Sequence, residues 1–177
     1  MRLRLDRRAT PASILLLVTD EDGALRALEF ADHETRMHRL LRRHYGDKGG
    51  DYVLTDGAAP GSITEALDAY FAGEAEALEA IPVATGGTAF QREVWKGLRA
   101  IPAGTTMTYG ALAAKVGRPS ASRAVGAANG ANPVAIVVPC HRVIGASGAL
   151  TGYASGLDHK RWLLDHEARC VRAGLGV

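Results

Sequence analysis

Apolar and polar residues follow one another in blocks whose rhythm changes along the chain. Residues 14 to 19 form an apolar run, Asp20-Glu21-Asp22-Gly23 has turn chemistry, and apolar character resumes from 24 to 30. This order predicts a β-hairpin. Met37, Leu40, Leu41 and Tyr45 recur at helical spacing between charges, which predicts an amphipathic helix broken by Lys48-Gly49-Gly50-Asp51. Ser62 and Glu65 have capping-box spacing, ahead of Ile63, Ala66, Leu67, Tyr70 and Phe71 on one helical face. Ile81-Pro82-Val83 leads into Ala84-Thr85-Gly86-Gly87, where a linker and a domain boundary are expected.

The second half opens with another capping box, Thr88 and Gln91, and a helix whose apolar face is Phe90, Val94, Leu98 and Ile101. Pro102 and Gly104 end it. Thr108 can cap a short helix carrying Leu112, Ala113 and Val116. After Gly117, Pro119 fits the first turn of a second helix over 120–128. Helix, glycine-containing turn and helix make a helix-turn-helix pattern, which many helical bundles also share. Residues 129–133 end that helix, and the run Val134-Ala135-Ile136-Val137-Val138 reads as a buried strand. Residues 145–152 are turn-rich, and a last helix is expected over 158–168. The fold class is therefore α+β. A small N-terminal domain of hairpin or sheet plus helix, residues 1–85, precedes a mainly helical domain, residues 86–177, with a helix-turn-helix and a short strand.

Composition narrows the picture. A chain of 177 residues, 47% hydrophobic, can bury a sizeable core. No apolar stretch approaches the length of a membrane span. The N-terminus is basic, but the apolar segment 14–18 is too short for a secretory leader, so a cytoplasmic location is expected. The net charge of +2 conceals an asymmetry. Residues 1–85 hold 10 Lys/Arg and 15 Asp/Glu, and residues 86–177 hold 11 and 4, giving −5 and +7. A basic half fits a polyanion, although surfaces vary and the excess is moderate.

Of the two cysteines, Cys140 and Cys170, neither belongs to metal-type spacing, and residues 1–139 offer no thiolate for zinc. His33, His38 and His44 are spaced by five and six, which does not stack them on one helical face, so they read as solvated. No metal and no organic cofactor is expected.

The chemistry converges on Pro139-Cys140-His141-Arg142-Val143. A thiol with pKa about 8.5 is only a few per cent ionised at pH 7, and a neighbouring base or cation raises that fraction. A Cys-His pair at the end of a buried strand therefore reads as an activated nucleophile. A buried packing cysteine is the plain alternative. Adjacent side chains on a regular strand point to opposite faces, so the pair can cooperate only if the chain turns at Pro139.

The stretch from Phe90 to Glu167 resembles the O6-alkylguanine-DNA alkyltransferases, also called methylated-DNA–protein-cysteine methyltransferases. The resemblance rests on Phe90-Gln91-Arg92-Glu93-Val94-Trp95, Thr108-Tyr109-Gly110-Ala111-Leu112-Ala113, Ser122-Arg123-Ala124-Val125-Gly126, Asn132-Pro133, Val138-Pro139-Cys140-His141-Arg142-Val143-Ile144, Thr151-Gly152-Tyr153 and Trp162-Leu163-Leu164-Asp165-His166-Glu167. It implies a single-turnover transfer of an alkyl group from O6-alkylguanine in double-stranded DNA to Cys140, with O4-alkylthymine as a second candidate substrate. His141 would be the proton acceptor, Glu167 the acid that orients it, Asn132 the tie between recognition helix and active-site segment, and Tyr109 a proton or hydrogen-bond donor to the guanine. Arg123 would fill the space of the extruded base. Ser122, Ala124 and Gly126 would let the second helix approach the minor groove. Tyr153, Val143, Asn129 and Ser155 would line the alkylguanine pocket. A monomer is implied.

Plainer roles remain for several of these residues. The small residues of the second helix also suit close helix packing, Asn132 suits a helix end, and Tyr109 and Tyr153 suit core packing. Arg142 reads better as an ion-pair partner than as a catalytic group. Some members of the family have serine directly after the pocket tyrosine. Here Ala154 follows Tyr153 and Ser155 comes next. Competing functions are a lesion-binding protein or helix-turn-helix regulator without transfer activity, and a cysteine hydrolase, for which the sequence identifies no oxyanion hole.

Overall fold

The structure, a computed structural model, describes residues 1–46 and 51–174. The first half is a four-stranded sheet in the order β3-β2-β1-β4. β1 (Arg2–Ala9), β2 (Ile14–Asp20) and β3 (Leu25–Phe30) are successive antiparallel neighbours, and β4 (Val53–Asp56) adds in parallel to β1. The expected hairpin is β2-β3. Its turn is held by Asp20, whose Oδ1 accepts from the Asp22 and Ala24 amides.

β2 is apolar without alternation because both of its faces are covered. Leu15 and Leu17 face the main core, which continues into the second half of the chain. Leu16 and Val18 face a smaller cluster with Leu3, Leu5, Met37, Leu41 and Tyr45. Met37 and Leu41 come from α1 (Glu34–Leu41), which continues as a π-type turn over Arg42–Gly46. The expected break at residues 48–50 lies outside the described residues. α2 (Gly61–Ala72) buries Ile63, Leu67 and Tyr70. The capping box expected at Ser62 and Glu65 is not formed, because Pro60 takes the N-cap position and Ser62 is already inside the helix.

In the second half α3 (Ala89–Arg99) has the expected capping box, with Thr88 and Gln91 bonding each other's backbone amides. α4 (Tyr109–Lys115) is capped by the Thr108 hydroxyl, and Gly117 turns the chain with φ 75°. α5 (Ser122–Gly130) starts two residues later than expected, so Pro119 sits in the turn and not in the helix. The Trp95 indole N–H donates to the Ala128 carbonyl at 2.8 Å and fixes α3 against α5. β5 (Met107–Thr108) and β6 (Val143–Ile144) form a short parallel pair, and α6 (Leu157–Gly174) closes the fold.

The run 134–138 is buried as expected, but it is not a strand. Only Val134 pairs, with Leu28 of β3. The following residues fold as tight turns, closed by the Val137 amide on Ala135 O and the Val138 amide on Val134 O. Ile136, fully buried, has φ 70°. A β-branched residue in this region is strained and is held only where its surroundings over-determine it. The cause is Asn132, whose side chain supplies the bonds that a neighbouring strand would otherwise provide.

Candidate active site

Asn132 is 1% exposed, and its amide group organises the whole segment. Its Oδ1 accepts from the Val134 amide at 3.0 Å. Its Nδ2 donates to Val138 O at 2.7 Å and lies 3.1 Å from Cys140 Sγ. One side chain thus folds the turn run and contacts the thiol. Pro139 then leads into a single 3-10 turn, Cys140–Arg142, so the chain does turn at the Cys-His pair.

That turn sends Cys140 and His141 to different partners. His141 is completely buried, and its Nε2 is 2.8 Å from Glu167 Oε1. Glu167, in α6 and also completely buried, collects further donors. Arg142 donates through Nε to Oε2 at 3.0 Å and through Nη2 to Oε1 at 2.8 Å, and the Tyr70 hydroxyl donates to Oε1 at 2.9 Å. The third Arg142 nitrogen donates to Ile101 O at 2.6 Å. Burial alone would raise the Glu167 carboxyl, but the His141 and Arg142 charges and hydrogen bonds outweigh it and hold it well below the carboxylate range. Burial, then the Glu167 charge, pushes the Tyr70 phenol well up, so it stays a donor.

The thiol departs from the expectation that a neighbouring base or cation raises its ionised fraction. Burial pushes Cys140 above the usual thiol range, and the Asn132 hydrogen bond and the Arg36 and Lys160 charges only partly offset this. The resting group is a thiol. Lys160, fully buried, donates to Val143 O at 2.6 Å and to Thr151 O at 3.3 Å, and its ammonium lies 5.9 Å from the Tyr153 ring centre.

The other expected residues fall into two groups. Asn129, Val143, Tyr153 and Ser155 are all buried. Tyr109 is half-buried, with its hydroxyl 3.4 Å from Thr151 O, and burial followed by the Cys140 charge raises its phenol. Among the described residues, the side chains of Asn129, His141 and Tyr153 each hold a buried polar atom (Oδ1, Nδ1 and the hydroxyl) without a hydrogen-bond partner. Unpaired buried polar atoms are rare in folded proteins. Ser122, Arg123, Ala124 and Gly126 lie on α5, where a Cβ at Gly126 would be 3.7 Å from the Tyr109 ring. Arg123 and Ala124 are exposed and Ser122 and Gly126 half-exposed, and among the described residues Arg123 has no ion-pair partner. The site and the α5 surface are joined through α5 itself, which runs into Asn129 and Asn132.

Sequence reasoning missed the contribution of the first half. Tyr70 in α2 binds Glu167. Arg36 in α1 donates to the backbone carbonyls of Gly130 and Asn132 at 2.8 and 2.9 Å, with its guanidinium held by the buried Glu29. The Leu28 backbone in β3 exchanges hydrogen bonds with Pro133 and Ala135. A buried tyrosine at a helical core position carries no signal of a polar partner 97 residues away.

Residues 89–169 match the model of the 6-O-methylguanine DNA methyltransferase DNA binding domain. Residues 10–85 match that of the 6-O-methylguanine DNA methyltransferase ribonuclease-like domain. The chain is 53% identical over 167 residues to a methylated-DNA–protein-cysteine methyltransferase of Salmonella typhimurium, covering 94% of this chain and 96% of that one. A Mycobacterium bovis protein of the same name is 45% identical over 156 residues, covering 87% and 93%. Among solved structures, the Mycobacterium tuberculosis O6-methylguanine methyltransferase superposes with a TM-score of 0.76 at 38% identity, covering 98% of both chains. A structure of the Mycobacterium tuberculosis protein in complex with DNA gives 0.75 at 38% identity, covering 96% of this chain and 94% of that one. With both halves matched and relatives of this identity spanning nearly the whole chain, the protein belongs to the 6-O-methylguanine DNA methyltransferase family.

Proposed function

We propose that the chain repairs alkylated DNA by moving the alkyl group from O6 of guanine onto Sγ of Cys140, once per molecule. The observation that carries this reading is the buried series Asn132, Cys140, His141 and Glu167, with Asn132 on the thiol and Glu167 on the imidazole. It has the nucleophile, base and orienting acid of a nucleophilic site.

The target lies inside the base stack, so the nucleotide leaves the duplex before reaction. α5 presents small side chains with one exposed arginine, which suits the minor groove and the space vacated by the base. Once the base is seated, the S–C bond forms as the C–O6 bond breaks. The thiol proton passes to His141 through a bridging water at Nδ1, while Glu167 stabilises the charged imidazole from the opposite nitrogen. Tyr109, kept protonated by its surroundings, donates a hydrogen bond to the leaving guanine, and the proton taken up by His141 returns through solvent to the guanine ring nitrogen, so that base and imidazole both end neutral. The product is a thioether, which water does not hydrolyse, so the reaction stops after one transfer. None of these steps calls for a metal or an organic cofactor.

The protein acts as a monomer, the groove is the minor one, and O4-alkylthymine is the second substrate to be tried. A reducing cytoplasm suits a required free thiol, and among the described residues no helix is long and apolar enough to cross a membrane. The chain divides for function into a supporting unit, residues 1–85, and a reacting unit, residues 86–177. The supporting unit acts through Tyr70, Arg36 and the Leu28 backbone.

The test is methyl transfer from a duplex carrying one O6-methylguanine. Cys140→Ala should abolish transfer and retain affinity for the duplex. Transfer by that variant, or loss of DNA binding in a variant that is still folded, would contradict the assignment.

A further inference from the structure

Away from Cys140, a second set of chemically capable side chains converges. Asp32 and His33 lie in the 3-10 turn Ala31–His33 between β3 and α1, and His159 lies in the first turn of α6. A carboxylate oxygen of Asp32 and one ring nitrogen of each histidine all lie within 4.8 Å of one another. His159 Nε2 is 2.9 Å from Asp32 Oδ2, and His33 Nε2 is 3.8 Å from the same oxygen. Bonds of about 2.0–2.2 Å put the ligand atoms around a tetrahedral zinc ion roughly 3.3 Å apart, so the two separations bracket that value.

The surroundings hold the rings in place. His159 stacks on Phe30 with ring centres 3.8 Å apart and planes 8° from parallel. Gly156, at φ 94°, passes so close that a Cβ there would lie 3.2 Å from His33 Nε2 and 3.5 Å from the His159 ring. Glycine therefore leaves the His33 nitrogen uncrowded. The Asp32 side chain is 58% exposed, which gives an ion a way in. A carboxylate–imidazole pair would account for Asp32 and His159. It gives no reason for a second imidazole to turn its nitrogen toward the same oxygen.

We propose that Asp32, His33 and His159 bind a divalent ion of the zinc type, with three protein ligands and a fourth position open to water. Two imidazoles and one carboxylate suit zinc better than calcium or magnesium, which favour all-oxygen shells. The sequence reading set His33 aside because its neighbours His38 and His44 are wrongly spaced. The partners are instead Asp32 beside it and a histidine from the other end of the chain. The bound ion would cross-link the turn after β3 to the start of α6, just beyond Tyr153 and Ser155. It takes no part in the alkyl transfer.

The experiment is calorimetric titration of zinc into the Cys140→Ala, Cys170→Ala protein, in which neither thiol can compete. One ion should bind per chain and raise the melting temperature. In that background His33→Ala and His159→Ala should each weaken binding by at least about tenfold, as loss of one of three ligands requires. Cobalt(II) should give a ligand-field spectrum without a thiolate charge-transfer band in the wild-type protein. His159→Gln keeps a flat polar group on Phe30 and replaces the alanine variant if that one does not fold. Absence of saturable binding to the thiol-free protein, or binding that survives both His33→Ala and a folded His159 variant, would overturn the proposal.

Discussion

Glu167 and Arg123 lie in the same half of the chain and use charge in opposite ways. Glu167 is completely buried and surrounded by Tyr70, His141 and Arg142, each bonded to a carboxylate oxygen, with the Gly104 amide 3.5 Å away. Arg123 is exposed on a helix face of small residues and meets no ion-pair partner among the described residues. At Glu167 fold and chemistry share the same bonds, so a change alters both. At Arg123 the free protein asks nothing of the side chain, so a change should appear only when DNA is present.

The strongest way to probe the first region is to remove one of its charges. Arg142→Ala removes the arginine cation and two hydrogen bonds from the buried Glu167 carboxylate and should cost about 3–5 kcal/mol of stability, the usual penalty for breaking a buried pair. Denaturant unfolding measures it, and a cost below about 1 kcal/mol would mean that water reaches Glu167 freely. Tyr70→Phe deletes one hydrogen bond to a charged group and should cost about 1.5–3 kcal/mol. It should also slow methyl transfer, because it loosens the acid that holds His141. An unchanged transfer rate in a destabilised protein would confine the first half to support of the fold.

Acid tests the same cluster without mutation. The Glu167 carboxyl is held below its ordinary value of about 4.3, so its contribution to stability is complete above that value and is lost as pH falls through and below it. Glu167→Gln should flatten the acid limb of the stability curve. It should also lower the single-turnover rate at neutral pH, with recovery as pH rises toward the Cys140 thiol pKa. An acid limb identical to that of the wild type would place the dominant titration elsewhere.

The smallest expected stability effect belongs to Arg123→Ala, within about 0.5 kcal/mol of wild type, as for exposed side chains generally. Its effect on repair should be selective. Transfer from duplex DNA should slow far more than transfer from a free O6-substituted guanine, which needs no extrusion. Equal slowing on both would erase the contrast between the two regions and make Arg123 a packing residue.

The contrast also explains what the sequence made legible. The β2-β3 hairpin, the Thr88 capping box and the apolar face of α3 depend on neighbours a few residues apart, and all were readable. So was the cysteine–histidine–arginine motif, whose members are adjacent. β1 was missed because its alternation is short: only Leu3 and Leu5 are apolar on the inner face, which Arg7 then continues, opposite Arg2, Arg4 and Arg8. The run 134–138 read as a strand because five apolar, partly β-branched residues look alike in a strand and in buried turns. Only the Asn132 side chain, bonding both ends of the run, separates the two. Tyr70, Arg36 and His159 act on residues 97, 94 and 127 positions away. No local pattern encodes such a distance, so their roles appear only once the chain is folded.

Peptide mass analysis after reaction with O6-methylguanine duplex tests the central claim most directly. The account predicts one added methyl group per chain, carried by the peptide containing Cys140, with no further transfer when more substrate is supplied. A methyl group on Cys170, or continued turnover with an unmodified Cys140, would contradict it.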